Sequence, residues 1–246
     1  MMNEMPGFFY NLGRLVGPKI RKGKWVWNSL TASEDEILQA EYETGRDMAA
    51  AMAQELPPDR DPQAARWVEE IGTRLAGRLT NRKRKWAFHL VSADAPNAFA
   101  VPGGFIYVTR PLLELCEHNP DEIAFVLGHE IGHVVRGHSF DRLVSSTLFN
   151  VASRVTPVGR VLSPHMVGMG IKLMQSAYTQ DQELEADSFG VRLTHSAGAD
   201  PRAAIRMMER LQATCGQDAL PEIFAYFASH PPFAVRMAAM RKHINA

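Results

Sequence analysis

Inside Leu127–His138, written LGHEIGHVVRGH, stand His129, Glu130 and His133, in a run whose apolar residues recur at helical spacing. Two histidines four apart on a helix project from one face about a turn from each other, so both imidazoles can reach a single ion. Neutral imidazole nitrogen is a zinc donor, and catalytic zinc takes three protein ligands and keeps a fourth position for water. Glu130, adjacent to the first histidine, is placed to act as general base on that water. The pattern therefore predicts Zn²⁺ as cofactor and demands a third ligand. The competing reading is a buried helix that happens to carry two histidines.

The third ligand is sought downstream, where Gln182–Gly190 reads QELEADSFG, rich in helix formers and free of proline. A carboxylate at Glu183 completes a set of two histidines and one glutamate. Asp187, a turn further on, can then accept the second ring N–H of a liganding histidine and fix its tautomer. Glu185 is the rival, but it lies about 200° round the helix from Glu183, so only one of the two can face the metal. Glu183 is the choice because it alone puts an aspartate on the same face. A solvated acidic helix face is the alternative use of these residues.

The segment NAFAVPGGFIYVT at 97–109, the histidine motif, the Glu183–Asp187 pattern and SHPPFAVR at 229–236 occur in this order. Together they resemble the zinc metallopeptidases that include the HtpX-type membrane protease, the CAAX prenyl protease, the mitochondrial Oma-type protease and the periplasmic BepA-type chaperone-protease. The resemblance covers roughly residues 85–241. It implies an α+β, mostly helical, zincin-like metallopeptidase domain, with a small sheet whose edge strand flanks the HExxH helix. Two departures stand out: Gln180 occupies a position where such proteins commonly carry arginine, and the transmembrane helices of the membrane-bound branches are missing.

The elements that must position these residues can be read in outline. Ser33 with Glu36 is a capping box opening a helix to about Leu56, closed by Pro57 and Pro58. A second helix starts at Asp61-Pro62 with Val68, Ile71, Leu75 and Leu79 on one face. Arg82–Lys85 reads as a solvated basic turn rather than a nucleic-acid patch. Trp86–Val91, Asn97–Val101 and Phe105–Thr109 read as short strands, the last two joined by Pro102-Gly103-Gly104. Asn119 as N-cap and Pro120 as first helical residue start the metal helix, expected to run to His138, with Asp121 and Glu122 suiting its positive end. Residues 139–175 read as irregular helix broken at Pro157 and Pro164, and Gly198 ends the Glu183 helix before Asp200-Pro201 opens another.

Composition limits the alternatives. The 246 residues are 46% hydrophobic, enough to bury a sizeable core, and the 27 basic residues balance the 27 acidic ones. Without a global positive field, nucleic acid is not an expected partner. Cys116 and Cys215 form neither a metal knuckle nor a disulfide framework and read as free, packed thiols. No segment reaches the ~18 apolar residues of a membrane span, and the N-terminus lacks the pattern of a secretion signal, so a cytoplasmic location is expected. Residues 8–27 interleave Phe8, Phe9, Tyr10, Trp25 and Trp27 with Arg14, Lys19, Arg21, Lys22 and Lys24. That suits either peripheral contact with an anionic membrane or an arm packed on the domain, and Pro18 and the glycines favour the arm. The expected organisation is an N-terminal arm over 1–32 and a single zinc metallopeptidase domain over 33–246.

Function follows from the arrangement. If Asn97, Ala98, Phe99 and Ala100 form a sheet edge, an extended polypeptide can pair with that edge through backbone hydrogen bonds and lie across the metal. Glu130 then takes a proton from the attacking water, and the oxyanion needs a further donor, for which His230 and Tyr178 are the candidates. The resemblance implies a place for His230 near the zinc, either assisting catalysis or capping a resting site. It leaves Arg236 to bind a carboxylate or anchor its loop. His138, a turn and a half beyond His133, points off the zinc face and reads as an outer contact of the site or a stabiliser of the helix C-terminus. The leading expectation is a zinc endopeptidase acting on unfolded or extended polypeptide. The alternative is a metal-binding holdase with a plugged site, which has no need of an intact Glu130.

Overall fold

A computed structural model describes residues 33–139, 141, 178–214 and 232–244. Seven α-helices are described: α1 Glu34–Glu55, α2 Pro62–Ala76, α3 Arg110–Leu115, α4 Pro120–Val135, α5 Gln180–Ser196, α6 Ala203–Thr214 and α7 Phe233–Ile244. Three short strands, β1 Ala87–Val91, β2 Ala98–Val101 and β3 Phe105–Thr109, and a 3₁₀ turn over Pro102–Gly104 between the last two complete the described elements. The chain is thus mostly helical with a small sheet, as its sequence predicts. The basic and aromatic stretch at 8–27, most of 139–175, Cys215 and His230 lie outside the described residues.

Local signals account for most boundaries. The Ser33 hydroxyl accepts from the Glu36 N–H at 3.3 Å while the Glu36 carboxylate accepts from the Ser33 N–H at 2.6 Å, the reciprocal pair of a capping box. Asp61 accepts from the Gln63 and Ala64 N–H groups, and Pro62 takes the first helical position of α2. Val68, Ile71 and Leu75 on α2 are buried, and Leu79 is buried too, although the helix has already ended at Ala76.

The sheet is mixed, in the order β1-β3-β2, with β1 parallel and β2 antiparallel to the central β3. Successive side chains on a strand face opposite sides, and here each side has its own core. Ile106 and Val108 join Phe88, Leu90 and Ala100 in the larger core, which is shared with α2 and α4. Tyr107 joins Phe99, Val101 and Val91 on the other face, where Met48 and Met52 of α1 cover them. The sheet is therefore a middle layer, α1 on one side and the motif-bearing α4 on the other.

One reading is corrected. Helix α4 ends at Val135 rather than His138, because Arg136 caps it and Gly137 adopts φ +73°. The basic tetrad is the largely exposed turn its sequence predicts, and it is also held in place: Arg84 pairs with the buried Glu41, Lys83 meets Asp35 at 2.7 Å, and Lys85 sits 4.4 Å over the Tyr42 ring. These contacts fasten the α2–β1 connection to α1. Helix α3 has no signal in the sequence, because its six residues carry too little periodicity to be told from a loop. Cys116 is free and buried, and burial pushes its thiol up to about 12. Among the described residues no helix is long and apolar enough to cross a membrane.

Candidate active site

Helix α4 is buried on nearly every side from Glu122 to Val134, the expected setting for a helix apolar all round. Asn119 accepts from the Asp121 and Glu122 N–H groups and fixes its start. Glu122 is more than a complement to the helix dipole: it is wholly buried, and Arg210 Nε lies 3.0 Å from its Oε2. Helix α5 opens on a capping box between Thr179 and Gln182, with Gln180 as its first residue. The two helices cross on small residues. A Cβ added at Gly190 would stand 2.9 Å from the His129 backbone nitrogen, and one added at Gly128 would stand 3.2 Å from the Gly190 oxygen. Only glycine permits this approach, and it is what brings Glu183 to the histidines.

His129, His133 and Glu183 are all buried, and their potential ligand atoms lie within 4.8 Å of one another. His129 Nε2 and His133 Nε2 are 3.1 Å apart, and each is 3.6 Å from an oxygen of Glu183. Ligands at ~2.0–2.1 Å on a tetrahedron stand ~3.3 Å from each other, so the three groups match the span of a divalent zinc-like ion. Charge agrees. Taken as ionised, Glu130, Glu183 and Asp187 give three negative charges against one positive at Arg236, and a divalent cation brings this buried set to neutrality.

The surrounding contacts orient the histidines. Asp187 Oδ1 lies 2.9 Å from His129 Nδ1, and its negative charge favours the ring proton on that nitrogen, which leaves the Nε2 lone pair facing the centre. Arg236 donates to both Asp187 oxygens, at 2.8 and 2.6 Å, and reaches Glu183 Oε2 at 3.4 Å. Of the two uses open to Arg236 in the sequence, carboxylate binding is the one observed. Burial alone would raise the Asp187 carboxyl, but Arg236 and His129 hold it at about 2. Burial likewise disfavours charge on His129, yet the neighbouring Asp187 and Glu183 carboxylates outweigh it and raise its proton affinity. Glu185 faces away, 46% exposed at its side chain, and binds Arg136 at 3.0 Å.

His138 is not on a continued α4. The turn at Gly137 returns it to the site, where its Nδ1 lies 3.1 Å from His133 Nδ1, and burial lowers its proton affinity. Gly137 after Arg136 is a helix-stop signal that could have located this break. Tyr178 stacks on His133 with ring centroids 3.7 Å apart, and its hydroxyl is 3.1 Å from Ser139 Oγ. Its ring thus buttresses a histidine, a use with no signal in the sequence.

Glu130, also buried, shares a small cleft with His129, Asn97, Ala98, Phe125 and Arg236. Strand β2 pairs with β3 on one side only among the described strands. The Thr109 N–H donates to the Asn97 oxygen and the Asn97 N–H donates to Thr109 Oγ1, so both backbone groups of Asn97 turn towards β3. Antiparallel alternation then turns Phe99 the same way and directs the backbone groups of Ala98 and Ala100 outward. The Phe99 and Ala100 side chains are buried in the two cores.

The sequence profile of peptidase family M48 matches residues 62–244, most of the chain and every residue of this centre. The chain belongs to peptidase family M48. Among curated relatives it is 35% identical over 152 residues to the mitochondrial metalloendopeptidase OMA1 of Schizosaccharomyces pombe, covering 60% of this chain and 43% of that protein. It is 27% identical over 201 residues to the beta-barrel assembly-enhancing protease of Escherichia coli K12, covering 77% and 40%. It is also 29% identical over 183 residues to the metalloprotease LoiP of the same bacterium, covering 72% and 67%. This M48 chain thus spans less than half the length of the first two. Helix α1, which covers the outer face of the sheet, precedes the segment matched to the M48 profile.

Proposed function

We propose that this chain is a zinc-dependent endopeptidase that hydrolyses peptide bonds in unfolded or extended polypeptides. The observation that carries the reading is the buried convergence of His129, His133 and Glu183 with Glu130 one residue from the first of them. In this reading those three residues hold zinc, which when bound polarises a peptide carbonyl and makes water acidic enough to attack at neutral pH.

The rest is the work of the chain. An extended substrate pairs with the outward backbone groups of β2, chiefly at Ala98, which opens on the cleft. Glu130 accepts a proton from the water as its oxygen bonds to the carbonyl carbon. The same carboxyl returns that proton to the amine nitrogen as the C–N bond breaks, so protons balance over the cycle. Asp187 keeps His129 in the donor tautomer, and Arg236 keeps Asp187 charged and in place.

Glu130→Gln separates this reading from that of a metal-binding holdase. The amide preserves shape and all three proposed ligands but cannot take a proton. Zinc content by metal analysis should be retained, and hydrolysis of casein or a quenched peptide should fall at least about 10²-fold. Chelator should abolish the wild-type activity, and zinc should restore it. Zinc-loaded wild-type protein without peptidase activity would leave the holdase as the better account, and unaltered activity in Glu130→Gln would remove Glu130 as the base.

A further inference from the structure

Beyond the Asp187–Arg236 pair, a second line of polar contacts leaves the centre from the other histidine. His133 Nδ1 is 3.1 Å from His138 Nδ1, His138 Nε2 is 3.4 Å from Glu185 Oε2, and Glu185 Oε1 is 3.0 Å from Arg136 Nε. His133 and His138 are 1% and 5% exposed, whereas the Glu185 and Arg136 side chains reach solvent.

Proton accounting decides what this line does. Two ring nitrogens at hydrogen-bonding distance share one proton, so one Nδ1 donates and the other accepts. If His138 donated, His133 would carry its proton on Nε2, the atom facing His129 Nε2, and no lone pair would point at the centre. If His138 holds its proton on Nε2, its Nδ1 accepts from His133 and the His133 Nε2 lone pair is released towards the centre. The Glu185 carboxylate beside His138 Nε2 favours the second state, because a negative charge attracts the N–H and repels a lone pair. The contact is longer than a strong hydrogen bond, so it acts through charge, and Arg136 holds the carboxylate in position.

We propose that His138 and Glu185 are positioning residues that fix His133 in its metal-donating tautomer, making the solvent-facing Glu185–Arg136 pair a remote control on metal affinity. This rests on the reading of His133 as a ligand. It gives Glu185, the rejected ligand of the sequence, a role that its exposed position would not suggest.

The test uses the full chain and its affinity for Zn²⁺, measured by competition with a chromogenic chelator, together with the visible spectrum of the Co²⁺-loaded protein. His138→Leu removes the acceptor and should weaken affinity about 10- to 100-fold, with an altered Co²⁺ band. His138→Asn places an amide oxygen near the Nδ1 position and should recover most of the loss. Glu185→Gln, on the surface and safe for folding, should weaken affinity less, in the same direction, with the metal-free unfolding midpoint unchanged. Wild-type affinity and spectrum in both His138→Leu and Glu185→Gln would overturn the inference, as would His138→Asn binding as poorly as His138→Leu. A wild-type protein that binds no zinc would instead remove the ligand reading on which the inference stands.

Discussion

Asp187 shows how much a single buried carboxylate does here. It orients His129, and it faces an Arg236 that is 2% exposed and also has the Glu183 carboxylate at 3.4 Å. Asp187→Asn retains an oxygen for His129 but removes the charge, so Arg236 should turn to Glu183 and compete with metal for that carboxylate. The expected outcome is zinc affinity lower by about 10- to 100-fold and metal-free stability lower by about 1.5–3 kcal/mol, the usual worth of hydrogen bonds to a charged group. Chelator competition and urea unfolding measure the two separately, and wild-type values in both would defeat the argument. At this scale the pairing of His129 with His133 is legible from spacing, because a helix fixes which residues share a face, and Glu183 is picked out by Asp187 on its own face, but the meeting of the two helices is not. Helical angle also separates Glu183 from Glu185. The partnership of His138 with Glu185 is not legible in that way, since it depends on where α4 stops and on a turn that no periodicity describes.

The elements matter through how closely they approach. Helices α4 and α5 cross where Gly128, Gly132 and Gly190 leave no room for side chains, with a Cβ at Gly132 only 3.3 Å from Ala186 Cα. Glu183 lies about two turns before Gly190 on α5, so any separation at the crossing is carried to the ligand atoms. Gly190→Val should therefore cost about 1–3 kcal/mol by overpacking and also reduce zinc binding. Gly198→Ala, where an added Cβ meets nothing within 4 Å at φ +80°, should cost about 1–2 kcal/mol through backbone strain and leave zinc binding alone. Equal zinc affinity in the two variants would show that the crossing does not set the site. The sequence reveals the starts of α1, α2 and α4 through their caps and the end of α5 through Gly198, but not this crossing. Glycine inside a helix reads as a weak point until its neighbour is known.

On the scale of the whole molecule, α1 and the loop after it must be held to a sheet whose other face carries the site. Pro58 bridges Val91, the Asp59 N–H donates to the Leu90 oxygen, and the Ser92 N–H donates to the Pro57 oxygen, so the loop continues the sheet along β1. Arg110, at the start of α3, clamps Asp59 through both carboxylate oxygens, Nε to Oδ2 at 2.9 Å. Neither Asp59 nor Arg110 stands out in the sequence, because their meeting across 51 positions is a product of sheet topology. The Arg110 hydrogen bonds draw the Asp59 carboxyl below the ordinary carboxylate range. A depressed native value means that the charged form is the stabilising one. The contribution is complete above the unfolded aspartate value of ~3.9 and is lost as pH falls through the lower native value. Asp59→Asn should thus lower stability by about 1–3 kcal/mol at pH 7, as expected for charge-assisted hydrogen bonds, and the difference should close on acidification from about pH 4 downward. Urea midpoints of both proteins across that range provide the check. A gap that persists unchanged to pH 2 would show that shape, rather than charge, secures this corner of the fold.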